Sequence, residues 1–125
     1  MNCDRLDEWL IKLKNIWVDK NPEGLKELFS DKFMYFETPF EKPHTTKKDL
    51  INLWQDIPKS QDNIKFSYKI ISFSHNLGIV HWNASFVRKG RNIKAYLDGI
   101  FQIQLDNDGL CTEFKQWWIT KEITA

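Results

Sequence analysis

Cysteine is scarce in this sequence of 125 residues, where only Cys3 and Cys111 occur. Two cysteines are too few for the disulfide framework of a small secreted protein, and these two lack the spacing of metal ligands. We therefore predict no metal site and no cofactor. Residues 1–8 are rich in charge and lack the apolar core of a secretory signal peptide, so we expect a reduced, cytoplasmic protein.

An excess of charge of either sign and a long apolar run are also missing. The 18 basic and 17 acidic residues leave a formal net charge of +1. This balance provides no strongly charged surface for nucleic acid or anionic lipid, so we expect neither nucleic acid nor a membrane as a partner. No apolar run approaches the roughly 20 residues that a membrane span needs.

Aromatic residues, by contrast, are abundant, with six Trp, nine Phe and three Tyr. A chain of this length is expected to form one domain, which we assign to residues 1–125. Large rings recur between Phe36 and Trp118 where a curved sheet would wrap a pocket. The aromatic content therefore predicts either a tightly filled core or an aromatic binding pocket.

Apolar residues recur at helical spacing in the first half of the chain. The pattern predicts a first helix with Asp4 as its N-cap and a second helix that begins at Pro22. A third helix is expected between a cap at Thr45 or Thr46 and Pro58, which should stop it. A short strand at residues 32–37 separates the second and third helices. The buried stripe of the second helix is predicted to be Leu25, Leu28 and Phe29.

From residue 64 onward the apolar spacing changes to two, which is typical of β-strands. After Ile70 the apolar residues switch to the other face of the strand, which predicts a bulge. Residues 88–92 and 106–109 read as hairpin turns, and the last strand is expected at about residues 110–120. The faces predicted to point inward contain Val80, Trp82, Ala84 and Phe86, then Leu97, Gly99, Phe101 and Ile103, then Phe114, Gln116 and Trp118. Three helices before a long antiparallel meander predict an α+β fold.

Several short motifs, in this order and at this spacing, resemble the nuclear transport factor 2-like superfamily, and most closely its small SnoaL-like bacterial proteins. The motifs are Glu37-Thr38-Pro39-Phe40, Leu53-Trp54, His81-Trp82, Leu97-Asp98-Gly99-Ile100-Phe101, Asp106-Asn107-Asp108-Gly109 and Trp117-Trp118. The resemblance implies a conical barrel, in which a strongly curved, mainly antiparallel sheet has the three N-terminal helices packed on its concave face. It also implies an apolar cavity and a homodimer formed through the outer face of the sheet.

Enzymes of this superfamily place carboxyl groups in the cavity, and the matching positions here are neutral. The isomerase base falls at Thr38, and the neutral acid of the same enzymes falls at Phe101. The acid of the cyclases and epoxide hydrolases falls at Gln116, whose amide is not a general base. The expected pocket residues are Phe36, Thr38, Phe40, Trp54, Trp82, Phe101, Phe114, Gln116 and Trp118. The sequence therefore favours a protein that binds a small hydrophobic molecule over an enzyme.

Three ionisable residues keep an enzymatic alternative open. Glu37 becomes a candidate base if the side chains around it point to the opposite faces from those predicted. An ion pair or a capping role is the simpler interpretation. His81 is a candidate base because its ordinary pKa lies near neutrality. Asp98 lies on the opposite strand face from Phe101, where a structural hydrogen bond is the simpler interpretation. An isomerase, cyclase or dehydratase would use Glu37 or His81.

The outer face of the predicted sheet is the expected dimer face. Its residues are His81, Asn83, Gln102, Gln104 and Trp117. The same surface supports a second alternative, in which the protein is an interaction module for a different protein.

Overall fold

The computed structural model describes residues 3–124, in which five strands form one sheet. The elements in chain order are α1 (Asp4–Val18), a 3₁₀ helix (Pro22–Glu27), β1 (Phe29–Tyr35), α2 (Lys47–Trp54), α3 (Asp56–Ser60), β2 (Gln61–Ser74), β3 (Leu77–Arg88), β4 (Ile93–Leu105) and β5 (Cys111–Thr124). The helices therefore precede the long strands, as the sequence predicts.

Helix α1 packs an apolar stripe onto the sheet. Its buried residues are Leu6, Trp9, Leu10, Leu13 and Trp17. Asp4 is the first helical residue rather than the N-cap, and the N-cap position is occupied by Cys3 without a side-chain hydrogen bond. The prediction of an Asp4 cap is therefore wrong by one residue. An acidic side chain in the first turn still lies favourably near the positive end of the helix dipole.

The second predicted helix is only a 3₁₀ helix of six residues. Leu25 and Leu28 are buried as expected, but Phe29 already begins β1. Strand β1 thus lies at Phe29–Tyr35 rather than at residues 32–37. The earlier start follows from parallel pairing with β5, because the Cys111 amide donates a hydrogen bond of 2.8 Å to the Leu28 carbonyl.

The third predicted helix consists of two short helices. Thr46 is the N-cap of α2, and its hydroxyl oxygen accepts a hydrogen bond of 3.2 Å from the Asp49 amide. Helix α2 ends at Trp54, and α3 contains Pro58. The prediction that Pro58 ends the helix is wrong because Pro58 lies in the first turn of α3, where a missing amide hydrogen breaks no helical bond.

Among residues 3–124 the strand order is β1-β5-β4-β3-β2, so β1 and β2 form the two edges and hydrogen bonds do not close the sheet. Strands β1 and β5 pair in parallel, and the other three pairs of this sheet are antiparallel. The register between β2 and β3 shifts between Ile70 and Ser72, which confirms the predicted bulge. The predicted α+β fold, with a curved and mainly antiparallel sheet, is confirmed.

The inner face of the sheet carries most of the core. Val80, Trp82, Ala84 and Phe86 of β3 are all buried, and Phe101 and Ile103 of β4 are buried beside them. Gly99 lies opposite Trp82 and Trp118 in the register. A β-carbon at Gly99 would lie 2.3 Å from the Trp117 carbonyl oxygen and 3.0 Å from Trp82 Cε2. This glycine therefore permits close packing rather than leaving a void.

Candidate aromatic cavity

A cavity of about 350 Å³ lies between the helices and the inner face of the sheet. It is lined by Trp17, Tyr35, Glu37, Leu53, Trp54, Asp56, Ile57, Gln61, Trp82, Leu97, Phe101, Phe114, Gln116 and Trp118. Seven of these fourteen residues are aromatic. The volume falls within the range of roughly 300–1,000 Å³ that is typical of small-molecule sites.

Tyr35 is the centre of a polar cluster in this cavity. Its hydroxyl oxygen accepts a hydrogen bond of 3.2 Å from Trp54 Nε1 and another of 3.2 Å from Gln116 Nε2. Its ring stacks on Phe114 with centroids 4.8 Å apart and an interplanar angle of 3°. Burial raises the pKa of Tyr35 to about 12, so the phenol is neutral at pH 7. Two accepted bonds occupy the lone pairs of its oxygen and leave its own hydrogen to donate elsewhere.

Two further tryptophans in the lining differ in how their indole nitrogens are satisfied. Trp17 Nε1 donates a hydrogen bond of 2.9 Å to Gln61 Oε1. Trp82 is 2% exposed and stacks on Phe101 at 4.7 Å, but its Nε1 has no hydrogen-bond partner within residues 3–124. A buried N–H group without a partner costs roughly 1–3 kcal/mol. Trp82 is thus an unsatisfied donor in the wall of the cavity.

Glu37 is the half-buried carboxyl group of the lining. Its pKa is raised, chiefly because burial removes water from the carboxylate and further because Glu41 is nearby, whereas His44 acts in the opposite direction. No hydrogen bond or ion pair to the Glu37 side chain occurs in the described part of the chain. A carboxylate that is partly removed from water and has no partner is available to a ligand.

Six of the nine predicted pocket residues line the cavity, and three do not. Those in the lining are Trp54, Trp82, Phe101, Phe114, Gln116 and Trp118. Phe40 is 98% exposed, and Phe36 lies in a separate small depression with Pro39 and Lys115. Thr38 is half-buried but does not line the cavity.

Phe36 lies outside the lining because the chain stays extended after β1, and successive side chains then point to opposite sides. The Phe36 amide donates a hydrogen bond of 2.8 Å to the Phe114 carbonyl, which continues the extended chain past Tyr35. Alternation then places Phe33, Tyr35 and Glu37 on one side and Phe36 on the other. Sequence reasoning missed Tyr35 as a site residue. The signal that could have found it is the alternation of Phe33, Tyr35 and Glu37.

His81 and Asp98 lie away from the cavity. His81 Nε2 lies 2.8 Å from Asp98 Oδ1, and both side chains are exposed to solvent on the outer face of the sheet. Asn83 and Gln102 share this face, and Trp117 is 43% exposed on it. Gln104 donates a hydrogen bond of 3.3 Å to the His75 carbonyl near the end of the sheet. The structure therefore separates His81 and Asp98 from the cavity and brings only Glu37 to it.

Two further findings concern the described residues. No group of three or more His, Cys, Asp and Glu side chains is arranged to hold a metal ion among residues 3–124. None of the helices described here is long and apolar enough to cross a membrane.

No protein-family model and no curated protein matches this sequence at a significant level. Solved structures do match its fold. A protein from Bacillus subtilis, provisionally called an isomerase, has a TM-score of 0.81 at 19% identity and covers 95% of this chain and 90% of its own. The Δ5-3-ketosteroid isomerase from a Mycobacterium species has a TM-score of 0.77 at 14% identity, with coverage of 95% and 98%. The fold is nuclear transport factor 2-like.

The same nuclear transport factor 2-like fold occurs in a computationally designed 17-OHP binder, with a TM-score of 0.73 at 15% identity and coverage of 90% and 94%. A ketosteroid isomerase and a designed binder therefore share this architecture. At such low identities the similarity shows the fold alone, and the function has to be inferred from the side chains of the cavity.

Proposed function

We propose that this protein binds a small, largely apolar molecule in the aromatic cavity. The observation that carries the proposal is that the cavity between the helices and the sheet is not filled by its own tryptophans. Trp54, Trp82 and Trp118 surround a space of about 350 Å³ instead of occupying it. An apolar site with a few polar groups is the usual form of a small-molecule site.

The polar groups supply orientation. The Tyr35 hydroxyl, fixed by Trp54 and Gln116, presents its hydrogen to a ligand oxygen such as that of a carbonyl or hydroxyl group. Because both donors hold the Tyr35 oxygen in place, little conformational freedom is lost when the ligand binds.

The test is ligand binding followed by a variant that fills the cavity. Native mass spectrometry of the purified protein identifies copurifying molecules, and quenching of tryptophan fluorescence measures the affinity of a panel of neutral aromatic alcohols and ketones. Leu53→Phe enlarges a lining residue on α2 and should weaken binding about tenfold or more. Ile51→Phe is the matched control on the same helix outside the lining and should leave the affinity unchanged. The absence of any bound or binding molecule contradicts the proposal.

Glu37 supports a second candidate function, which is proton abstraction from a carbon next to a carbonyl group. Its carboxylate lines the same cavity as the Tyr35 hydroxyl, and its raised pKa makes it a stronger base than an ordinary glutamate. Glu37 would remove the proton, while the neutral Tyr35 phenol donates a hydrogen bond to the developing enolate oxygen.

The second candidate is tested by isotope exchange. In deuterated water, a bound ketone should exchange its α-hydrogens in the natural protein, and Glu37→Gln should abolish exchange while changing affinity by less than about threefold. The rate should rise with pH as Glu37 loses its proton. Glu41→Gln keeps the base and removes a neighbouring negative charge, so it should retain exchange and shift the profile to lower pH. Equal exchange in Glu37→Gln and the natural protein would rule out this role.

The outer face of the sheet supports a proposal about assembly. Trp117 and Ile119 are 43% and 76% exposed on neighbouring positions of that face. We propose that a second copy of the chain covers them, since large exposed apolar side chains on a sheet favour association.

A further inference from the structure

The charged residues that line the aromatic cavity are all acidic. Glu37 and Asp56 are acidic, and none of the other lining residues in the described structure is Lys, Arg or His. The chain as a whole is nearly neutral, so this bias belongs to the cavity. A cavity with carboxylates and no fixed cation favours a positively charged ligand and opposes an anionic one.

Lys47 on α2 and Lys115 on β5 belong to elements that line the cavity, and both have other partners. Lys47 pairs with Asp31 at 3.5 Å, and Lys115 lies 3.6 Å from Glu113. Lys115 also lies over the Phe36 ring at 5.4 Å from its centroid, on the side away from the cavity. Glu37 therefore has no Lys or Arg partner among residues 3–124, and the cationic neighbour that acts on its pKa is the His44 imidazole, although Glu37 is half-buried. A partly desolvated carboxylate is stabilised when a cation from the ligand approaches it.

The walls provide the second form of recognition. Trp17, Trp54, Trp82 and Trp118 all line the cavity, together with Tyr35 and two phenylalanines. The electron-rich faces of such rings attract cations within about 6 Å of the ring centre, and tryptophan does so most strongly. Trp17 and Trp54 meet edge to face at 5.8 Å, so the two indole planes point in different directions around the cavity.

The surroundings of Glu37 bear on the type of cation. Asp56 is exposed, so a ligand that reaches its carboxylate competes with water, whereas Glu37 is half-buried. Four indole rings line the same cavity, and the faces of such rings suit the alkyl groups of a substituted nitrogen. The lining therefore suits an alkylated nitrogen with one N–H group or none.

We propose that the ligand of this cavity carries a tertiary or quaternary ammonium group, held between the Glu37 carboxylate and the tryptophan rings. This inference rests on the proposed binding function and names the chemical class of its ligand. The apolar part of the ligand lies against Phe101 and Phe114, and the alkyl groups on nitrogen lie against the indole rings.

The test compares choline with 3,3-dimethyl-1-butanol, which has the same shape and no charge. Binding is followed by tryptophan fluorescence and by the indole N–H resonances in nuclear magnetic resonance spectra. Choline should bind at least about tenfold more tightly than the neutral isostere. Glu37→Gln should reduce this preference to about threefold or less, because the variant removes the charge and keeps the shape. Glu41→Gln is the control, since Glu41 is exposed and outside the lining, and it should retain the preference.

The outcomes separate this inference from the proposed function. Equal or tighter binding of the neutral isostere overturns the cationic ligand and leaves the binding cavity supported. A cation preference that survives Glu37→Gln also overturns it, because the recognising charge then lies elsewhere. If neither compound perturbs the indole resonances and no molecule copurifies, both the ligand class and the binding function are contradicted.

Discussion

Tyr35 shows how one side chain can organise a cavity from within the core. It is 4% exposed, yet its oxygen joins an indole from α2 and an amide from β5. Its neutral phenol is favoured because a buried phenolate would lose its hydration, and Glu37 adds a negative charge nearby. The same residue thus contributes to stability and to the proposed ligand site.

The raised pKa of Tyr35 predicts a loss of stability in alkali. The folded state holds the phenolic proton up to a pKa of about 12, whereas a tyrosine exposed to water in the unfolded chain has a pKa of 10.0. Stability from this group is therefore complete below pH 10 and is lost as the pH rises from 10 towards 12, because only the unfolded state releases the proton there. Over that interval the natural protein should lose about 2 kcal/mol more unfolding free energy than Tyr35→Phe.

Urea unfolding at several alkaline pH values measures this difference. Tyr68 and Cys111 also have raised pKa values, but both are present in the two proteins and their effects cancel in the comparison. If the free energy of unfolding falls equally with pH in Tyr35→Phe and in the natural protein, the prediction is contradicted.

At the scale of elements, the start of α2 depends on one hydroxyl group. Thr46 accepts a hydrogen bond from the Asp49 amide, whereas no side-chain bond caps α1 or α3 within the described residues. Thr46→Ala should lower the free energy of unfolding by about 1 kcal/mol, because the amide loses its partner. Thr45→Ala is the control beside it, and chemical denaturation of the two variants gives the comparison. A cost for Thr45→Ala as large as that for Thr46→Ala would show that the cap is not the cause.

The close pairing of β4 with β5 depends on Gly99. A β-carbon there meets backbone, since the Trp117 carbonyl oxygen is 2.3 Å away, and backbone in the middle of a sheet has little freedom to shift. Gly99→Ala should therefore destabilise the protein by about 3 kcal/mol. Gly78→Ala is a matched change in β3, where the new atom would meet the flexible end of the Leu6 side chain at 2.4 Å.

Gly78→Ala should cost about 1 kcal/mol or less, because the Leu6 side chain can move and the unfolded chain loses freedom. Thermal and urea unfolding of the two variants shows which substitution lowers the stability more. Equal destabilisation would mean that the strands adjust around Gly99 as easily as a side chain does around Gly78.

At the scale of the whole molecule, the outer face of the sheet remains uncovered in the single chain. If a second copy covers it, the purified protein should sediment as a dimer, and Trp117→Glu should shift it to a monomer by placing charge in the interface. Phe40→Glu is the control, because Phe40 is 98% exposed and lies outside the sheet. Sedimentation velocity of the three proteins gives the answer, and a monomeric natural protein would instead favour an interface for a different partner.

The sequence alone determined the strands and their inner faces from β2 onward. Alternation assigned Trp82, Phe101 and Gln116 to the inner side, because successive residues of a long strand point to opposite faces whatever the strand pairs with. Hairpin turns fixed the order of β3, β4 and β5 in the same local way.

Only the tertiary structure decided the position of β1 and the side chains that follow it. Strand β1 pairs in parallel with β5, far away in the sequence, and this distant pairing sets which of Tyr35, Phe36 and Glu37 point inward. A short strand carries too few residues for its pattern to fix its own register. The neutral positions Thr38, Phe101 and Gln116 were visible in the sequence. Which of the candidates Glu37, His81 and Asp98 reaches the cavity was decided by a contact between chain segments that local patterns do not encode.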